Sequence, residues 1–217
     1  GSFELKIGQF SGVAEEIEDQ KQIEKYFETS RNLKDFVEKD LILLADYDFT
    51  EYKTVDKDKI KKLDHVFLLE TRPVSPPLEN LIKKAVIICS TTNYIRDLVN
   101  RPANEVNPAY LANEAEKLKK LMRVKVMDAK EMKQKGFGGI LAVGGGSANE
   151  PKLITLEYNS NARKSVAIVG KGVTFDSGGL SLKPPRYMET MKQDMAGAAV
   201  VLAVCKIAAE LKLNIHI

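Results

Sequence analysis

The chain has 217 residues, 44% of them hydrophobic, enough for one substantial core or two modest ones without staples. Its 33 basic and 30 acidic residues leave a formal charge of +3, too balanced for a nucleic-acid footprint. No run reaches the roughly 18 consecutive apolar residues of a membrane-spanning helix.

The opening residues, "GSFELKIGQF", show no basic stretch followed by an apolar one, and Gly1-Ser2 read as a cloning scar. Residues 15–40, "EEIEDQKQIEKYFETSRNLKDFVEKD", predict a polar helix, and 65–71, "HVFLLET", a strand. Between them the lysines of "VDKDKIKKLDH" alternate with aspartates, as on a solvated face that ends at His65, a surface or strand-edge histidine. Pro73, Pro76 and Pro77 in "TRPVSPP" break the pattern and mark a linker.

From Leu78 to Arg101, Leu81, Ile82, Ala85, Ile88, Cys89, Ile95 and Leu98 recur at spacings of three and four, predicting a long connecting helix that "NRPANEVNP" terminates. Beyond it follow an amphipathic helix over 108–122, a short strand at "RVKVMD" and a helix at "AKEMKQKGFGG" that glycine stops. Strands are predicted at "GILAVGGG", "KLITLEYN" and "SVAIVG", then a small-residue helix over 195–212 and the start of another strand at "LNIHI". Cys89 and Cys205, each in an apolar run, read as buried free thiols of a reducing compartment, so a cytoplasmic location is expected.

Strands alternating with helices give an α/β fold whose sheet is covered on both faces. The domain reading is 1–77 as a small, incomplete N-terminal α/β domain, 78–100 as the connecting helix, and 101–217 as the first half of a larger mixed-sheet, three-layer domain.

The glycine-rich stretch 136–152 fits neither G-x-x-x-x-G-K-[ST] nor G-x-G-x-x-G, and Lys171 in "GKGVT" is followed by Gly172, so no phosphate loop is expected. His65 and His216 cannot form H-E-x-x-H, and no serine has a nearby histidine and acid, so a covalent hydrolase is not supported. What remains is "VGKGVTFDSGGLSLK", where an apolar strand runs into Lys171, Asp176 and Lys183, with Asp194 following at the mouth of the last helix.

Open α/β sheets place ligands at the carboxyl edge of their strands. Gly178 and Gly179 would permit positive φ there, and Gly197 a close helix packing. Two carboxylates converging with a lysine suit an oxygen-ligated divalent cation such as Mn²⁺, Mg²⁺ or Zn²⁺. The residues alone leave a second reading open: a Lys-Asp ion pair with Asp194 as a helix cap.

At "VGKGVTFDSGGLSLKP" and "MKQDMAGAAVV" the sequence closely resembles the cytosolic leucyl aminopeptidase family of two-metal exopeptidases. "RDLVNRPANEVNP", "ILAVGGGSANEPKLITLEY" and, more weakly, "LADYDFTEYK" extend the resemblance from Leu44 to Ile217. It implies that Lys171, Asp176 and Asp194 are metal ligands, with Asp176 shared between two ions, and that Lys183 is the catalytic lysine.

Lys171 would then ligate as a neutral amine, and Lys183 would stay cationic and stabilise an oxyanion. The resemblance also implies two divalent ions (zinc or manganese, with magnesium as a further option), a bicarbonate base, peptide substrates with a free N-terminus, and a homo-hexamer, while the charge balance and the lack of a long apolar run predict no nucleic-acid or membrane partner. The family's further motif N-T-D-A-E-G-R, which supplies an Asp, a Glu and the bicarbonate-binding Arg, is not in this sequence. These residues are therefore expected to be part of a longer aminopeptidase and to have negligible activity in isolation. The competing readings are an inactive assembly or DNA-binding module of the same family, the charge balance arguing against DNA, and a metallohydrolase of another amide or a phosphoester.

Overall fold

The computed structural model describes residues 4–9, 42–56, 59–60, 65–70 and 75–217, and the fold is α/β as the sequence pattern predicts. The chain divides into two compact units, Gly1–Ser90 and Thr91–Ile217. No described helix is long and apolar enough to cross a membrane.

In the first unit β1 (Glu4–Gln9) and β2 (His65–Glu70) run parallel, in register from Glu4 opposite His65 to Gln9 opposite Glu70. β2 is the strand predicted at 65–71, and His65 is its first residue. β1 is not foreseen in the sequence, because alternation over six residues is a weak signal. The helix predicted over 15–40 lies outside the described residues, as do residues 57–58 and 61–64 of the lysine-rich run and 71–74 of the linker.

Pro76 and Pro77, the last two prolines of the predicted linker, are the first residues of a helix. α1 (Pro76–Asn100) begins on them because the amides of a helix's first turn have no intrahelical acceptor, so proline loses nothing there. Its buried residues Ile82, Ala85, Cys89 and Leu98 follow the predicted spacing. It ends at Asn100, and in the following turn the amides of Glu105 and Val106 both donate to the Pro102 carbonyl at 3.0 Å.

Asn107 then caps α2 (Pro108–Glu116), its side-chain oxygen accepting from the Tyr110 amide at 3.0 Å. The helix predicted to 122 tightens into a 3-10 turn over Lys117–Lys120, which keeps both Leu118 and Met122 buried as the chain reverses into β3 (Arg123–Met127). β3 pairs antiparallel with β4 (Leu153–Glu157), Arg123 opposite Glu157 and Met127 opposite Leu153. Between them α3 (Ala129–Gln134) is capped by Asp128 and stopped at Gly136, whose φ is +77°.

Two predicted strands are corrected. "GILAVGGG" contributes α4 (Gly138–Gly144), and Val143 is 74% exposed. Its apolar run is too short to fix a period, and no described strand lies beside it. "SVAIVG" is not a strand beyond an isolated parallel bridge from Ser165 to His216, with the Val166 amide donating to the His216 carbonyl at 2.9 Å. A strand needs a continuous partner, and among the described residues only His216 offers one. The start of a strand expected at "LNIHI" is met to this extent, since Ile217 also exchanges backbone hydrogen bonds with Tyr158 in both directions.

After α5 (Pro185–Met188) and a 3-10 turn at Met191–Gln193, the chain closes with α6 (Ala196–Glu210). Ala199, Leu202, Cys205 and Ala209 of α6 pack with Leu98, Val106, Leu111, Ala115, Leu118 and Met122 in the core of the second unit. Each fully buried leucine there contributes roughly 2 kcal/mol. Cys89 and Cys205 are buried free thiols as expected, and burial pushes the Cys205 thiol up from its ordinary value.

One polar group is held at this core. The Tyr94 hydroxyl donates to Glu114 at 2.6 Å, and Lys117 reaches the other Glu114 oxygen at 2.6 Å. Burial, and then the bond to Glu114, raise the Tyr94 phenol well above its ordinary 10.0. The unfolded chain ionises this tyrosine first, so its contribution to stability is complete below pH 10.0 and is lost as pH rises further. Tyr94→Phe should therefore destabilise the fold by about 2 kcal/mol at neutral pH. It should also flatten the alkaline loss of stability, both read from urea unfolding midpoints at a series of pH values.

Candidate metal centre

The residues singled out in the sequence converge on the N-terminal end of α6. The chain around Lys171 lies directly on that end, the Lys171 carbonyl accepting from the Ala198 amide at 2.9 Å. This satisfies one of the amides that a helix start leaves without a partner, and α6 has no side-chain cap to do so. The approach is possible only between glycines. A Cβ on Gly170 would lie 2.3 Å from the Gly197 carbonyl oxygen, and one on Gly197 would lie 2.9 Å from the Lys171 amide nitrogen.

A second tight turn carries Asp176 to Lys183. Gly178 and Gly179 take φ of +91° and +70°, as their placement in the sequence predicts, and the Lys183 amide closes the loop on the Ser177 carbonyl at 2.9 Å. The Asp176 carboxylate turns back on its own loop, Oδ1 accepting from the Gly178 amide at 2.8 Å. A Cβ on Gly178 would meet the Ser181 carbonyl oxygen at 2.4 Å.

The four charged groups pair across these turns. Lys171 Nζ lies 2.7 Å from Asp194 Oδ2, and Lys183 Nζ lies 2.8 Å from Asp176 Oδ2. The Lys183 ammonium, then the Gly178 amide, hold the Asp176 carboxyl below its usual range, and the positive charge of Lys171 adds to this. Asp194 is not a helix cap. It follows the 3-10 turn, its amide bonded to the Met191 carbonyl at 3.1 Å, while Met195 stands at the cap position of α6.

Lys171 is 64% exposed and Asp176 46%, and pairs this open to water contribute roughly 1 kcal/mol or less. Stability therefore gives little reason for four charges in one place. Among the described residues no three His, Cys, Asp or Glu side chains are placed to hold a metal ion. The only donors of this cluster that suit a divalent cation are the Asp176 and Asp194 carboxylates and, once its proton is displaced, the Lys171 amine. Two oxygens and a nitrogen fit one side of a coordination shell. Lys183 donates hydrogen bonds, to Asp176 and to the Met191 sulfur at 3.5 Å, and suits an anion rather than a cation.

Two contacts at the site were not read from the sequence: the Met191 sulfur on Lys183, and Lys192 Nζ on the Asn100 carbonyl at 2.7 Å. Both residues sit inside the quoted "MKQDM", but spacing along a chain does not show what a side chain reaches.

Residues 93–217 match the catalytic domain of the cytosol aminopeptidase family. Curated relatives named "Probable cytosol aminopeptidase" include one from Streptomyces avermitilis, 42% identical over 181 residues, and one from Aquifex aeolicus, 38% identical over 179. Each alignment covers 81% of this chain and 35% of the relative, so the chain spans about a third of their length. Among solved structures, the bottromycin maturation enzyme BotP in complex with Mn is similar with a TM-score of 0.70 and 31% identity, over 83% of this chain and 37% of that one. The cytosol aminopeptidase of Coxiella burnetii is similar with a TM-score of 0.70 and 30% identity, over 83% and 38%.

Because the Gly170 contact is backbone against backbone, Gly170→Ala should destabilise the protein by about 3 kcal/mol or prevent folding. Gly139→Ala, in α4 and with nothing within 4 Å of an added Cβ, should leave stability unchanged or raise it by up to about 1 kcal/mol in chemical denaturation.

Proposed function

The chain belongs to the cytosol aminopeptidase family, and from that premise we propose that the protein is a metal-dependent aminopeptidase releasing N-terminal residues such as leucine from peptides. The observation that carries the reading is the paired quartet of Lys171, Asp176, Lys183 and Asp194, all inside the matched 93–217 region.

In this reading Lys171, Asp176 and Asp194 hold two divalent ions together with ligands from elsewhere in the protein. Manganese is the first candidate, because a structural neighbour is described in complex with Mn, and zinc and magnesium suit the same donors. Such ions, when bound, lower the pKa of water and polarise a carbonyl.

The chain's own residues do the rest. Asp176 would be one of the residues holding the metal, and Lys183, which pairs with Asp176 in this structure, would be the donor to the scissile carbonyl oxygen as negative charge develops on it. The Ser177 carbonyl keeps hold of the Lys183 amide, so the donor's backbone stays in place when its side chain moves. Lys171 would hold the metal through a neutral amine, and its main chain is fixed by the α6 contact. A metal held by these residues would also suit a free α-amine, which an internal peptide bond lacks, and this would favour action at N-termini. A bicarbonate base, a homo-hexameric assembly and a cytoplasmic location complete the proposal and rest on the family resemblance.

The test is hydrolysis of a leucyl chromogenic amide by the intact protein with and without Mn²⁺. Turnover should require the metal and vanish with a chelator; full turnover in chelator, or none with any of the three metals, overturns the reading. Lys183→Ala should lower kcat by about 10²-fold or more, as loss of one oxyanion donor does. An unchanged kcat would remove Lys183 from this role.

A further inference from the structure

Asp194 leaves the end of a 3-10 turn of only three residues, Met191–Gln193. So short a turn cannot hold its own conformation and must be fixed from outside. Met195 on its C-terminal side is fully buried in the core. On the other side, Lys192 reaches across the fold to the carbonyl of Asn100, the last residue of α1, at 2.7 Å.

The terminal carbonyls of a helix lack intrahelical partners and carry the negative end of its dipole, so an ammonium there is held by both a charge-assisted hydrogen bond and a field. α1 has no basic residue of its own in its last turn, which leaves Lys192 to meet that field from another element.

The same turn feeds both halves of the charged cluster. Asp194, bonded through its amide to the Met191 carbonyl, pairs with Lys171, and the Met191 side chain touches Lys183. We infer that Lys192 is a positioning residue for the metal centre: by tying the Met191–Gln193 turn to the end of α1, it sets where the Asp194 carboxylate points. This rests on the metal-centre reading above. It also gives a role to the "NRPANEVNP" turn, which brings α1 to its end at Asn100 and so presents that carbonyl.

Outer-shell partners of metal ligands typically change affinity by about 10- to 100-fold when removed. The test is direct Mn²⁺ binding by calorimetry on the intact protein, alongside its melting temperature and its kcat at saturating Mn²⁺. Lys192→Met should weaken Mn²⁺ binding about tenfold, with kcat at saturation within about twofold of the parent, and Lys192→Arg, which can still donate to the carbonyl, should recover most of the affinity.

Unchanged Mn²⁺ affinity in Lys192→Met, or a lowered melting temperature without a change in affinity, overturns the inference while leaving the metal centre standing. If Lys192→Met does not fold, Lys192→Gln decides in the same way, since its amide is too short to reach the same carbonyl. A parent protein that binds no Mn²⁺ overturns the metal-centre reading itself, and this inference with it.

Discussion

The backbone contact between Gly170 to Lys171 and the first turn of α6 is the constraint on which the rest of the site depends. Two glycines face each other where any side chain would collide, so the main chain entering the charged loop rests directly on the helix end. The Lys171 carbonyl then serves as the cap that α6 lacks, and the hydrogen bond to Ala198 joins loop and helix. Because α6 is the apolar spine of the second unit, with Ala199, Leu202 and Cys205 in its core, the position of Lys171 is set by the same burial that holds the unit together.

Given that platform, the pairing of the four charges follows. Two ammonium and two carboxylate groups neutralise one another without any being deeply buried, so the cluster can exist with no cation present. The arrangement also exposes what a cation would change. The side-chain pairs are exposed enough to exchange partners, whereas the loop backbones are held by their own hydrogen bonds to Ser177, Asp176 and Ala198. A rigid main chain under exchangeable side-chain partners is what a site built for charge exchange requires.

Much of this was legible in the sequence, and the failures have physical causes. α1, β2, β3, β4 and α6 carry apolar patterns long or regular enough to declare their period. The positive φ at Gly178 and Gly179 was readable because only glycine adopts it freely. "GILAVGGG" misled because four apolar residues suit a strand or a helix turn equally, and "SVAIVG" because a strand is defined by a partner that its own residues cannot supply. At the site, proximity was readable but partnership was not: the sequence left a single Lys-Asp pair with Asp194 as a helix cap as one reading, whereas the fold makes two pairs, Lys171 with Asp194 and Lys183 with Asp176. The Lys192 to Asn100 contact, spanning 92 residues, has no local signal at all.

The central claim is that this paired quartet is the protein-built part of a divalent metal centre. Anomalous diffraction from crystals of the intact protein soaked in Mn²⁺ tests it most directly. The account predicts a peak at bonding distance, roughly 2.2 Å, from the Lys171 amine and the Asp176 and Asp194 carboxylates, with Lys183 turned away from Asp176. A peak elsewhere, or both ion pairs intact in saturating metal, would contradict it.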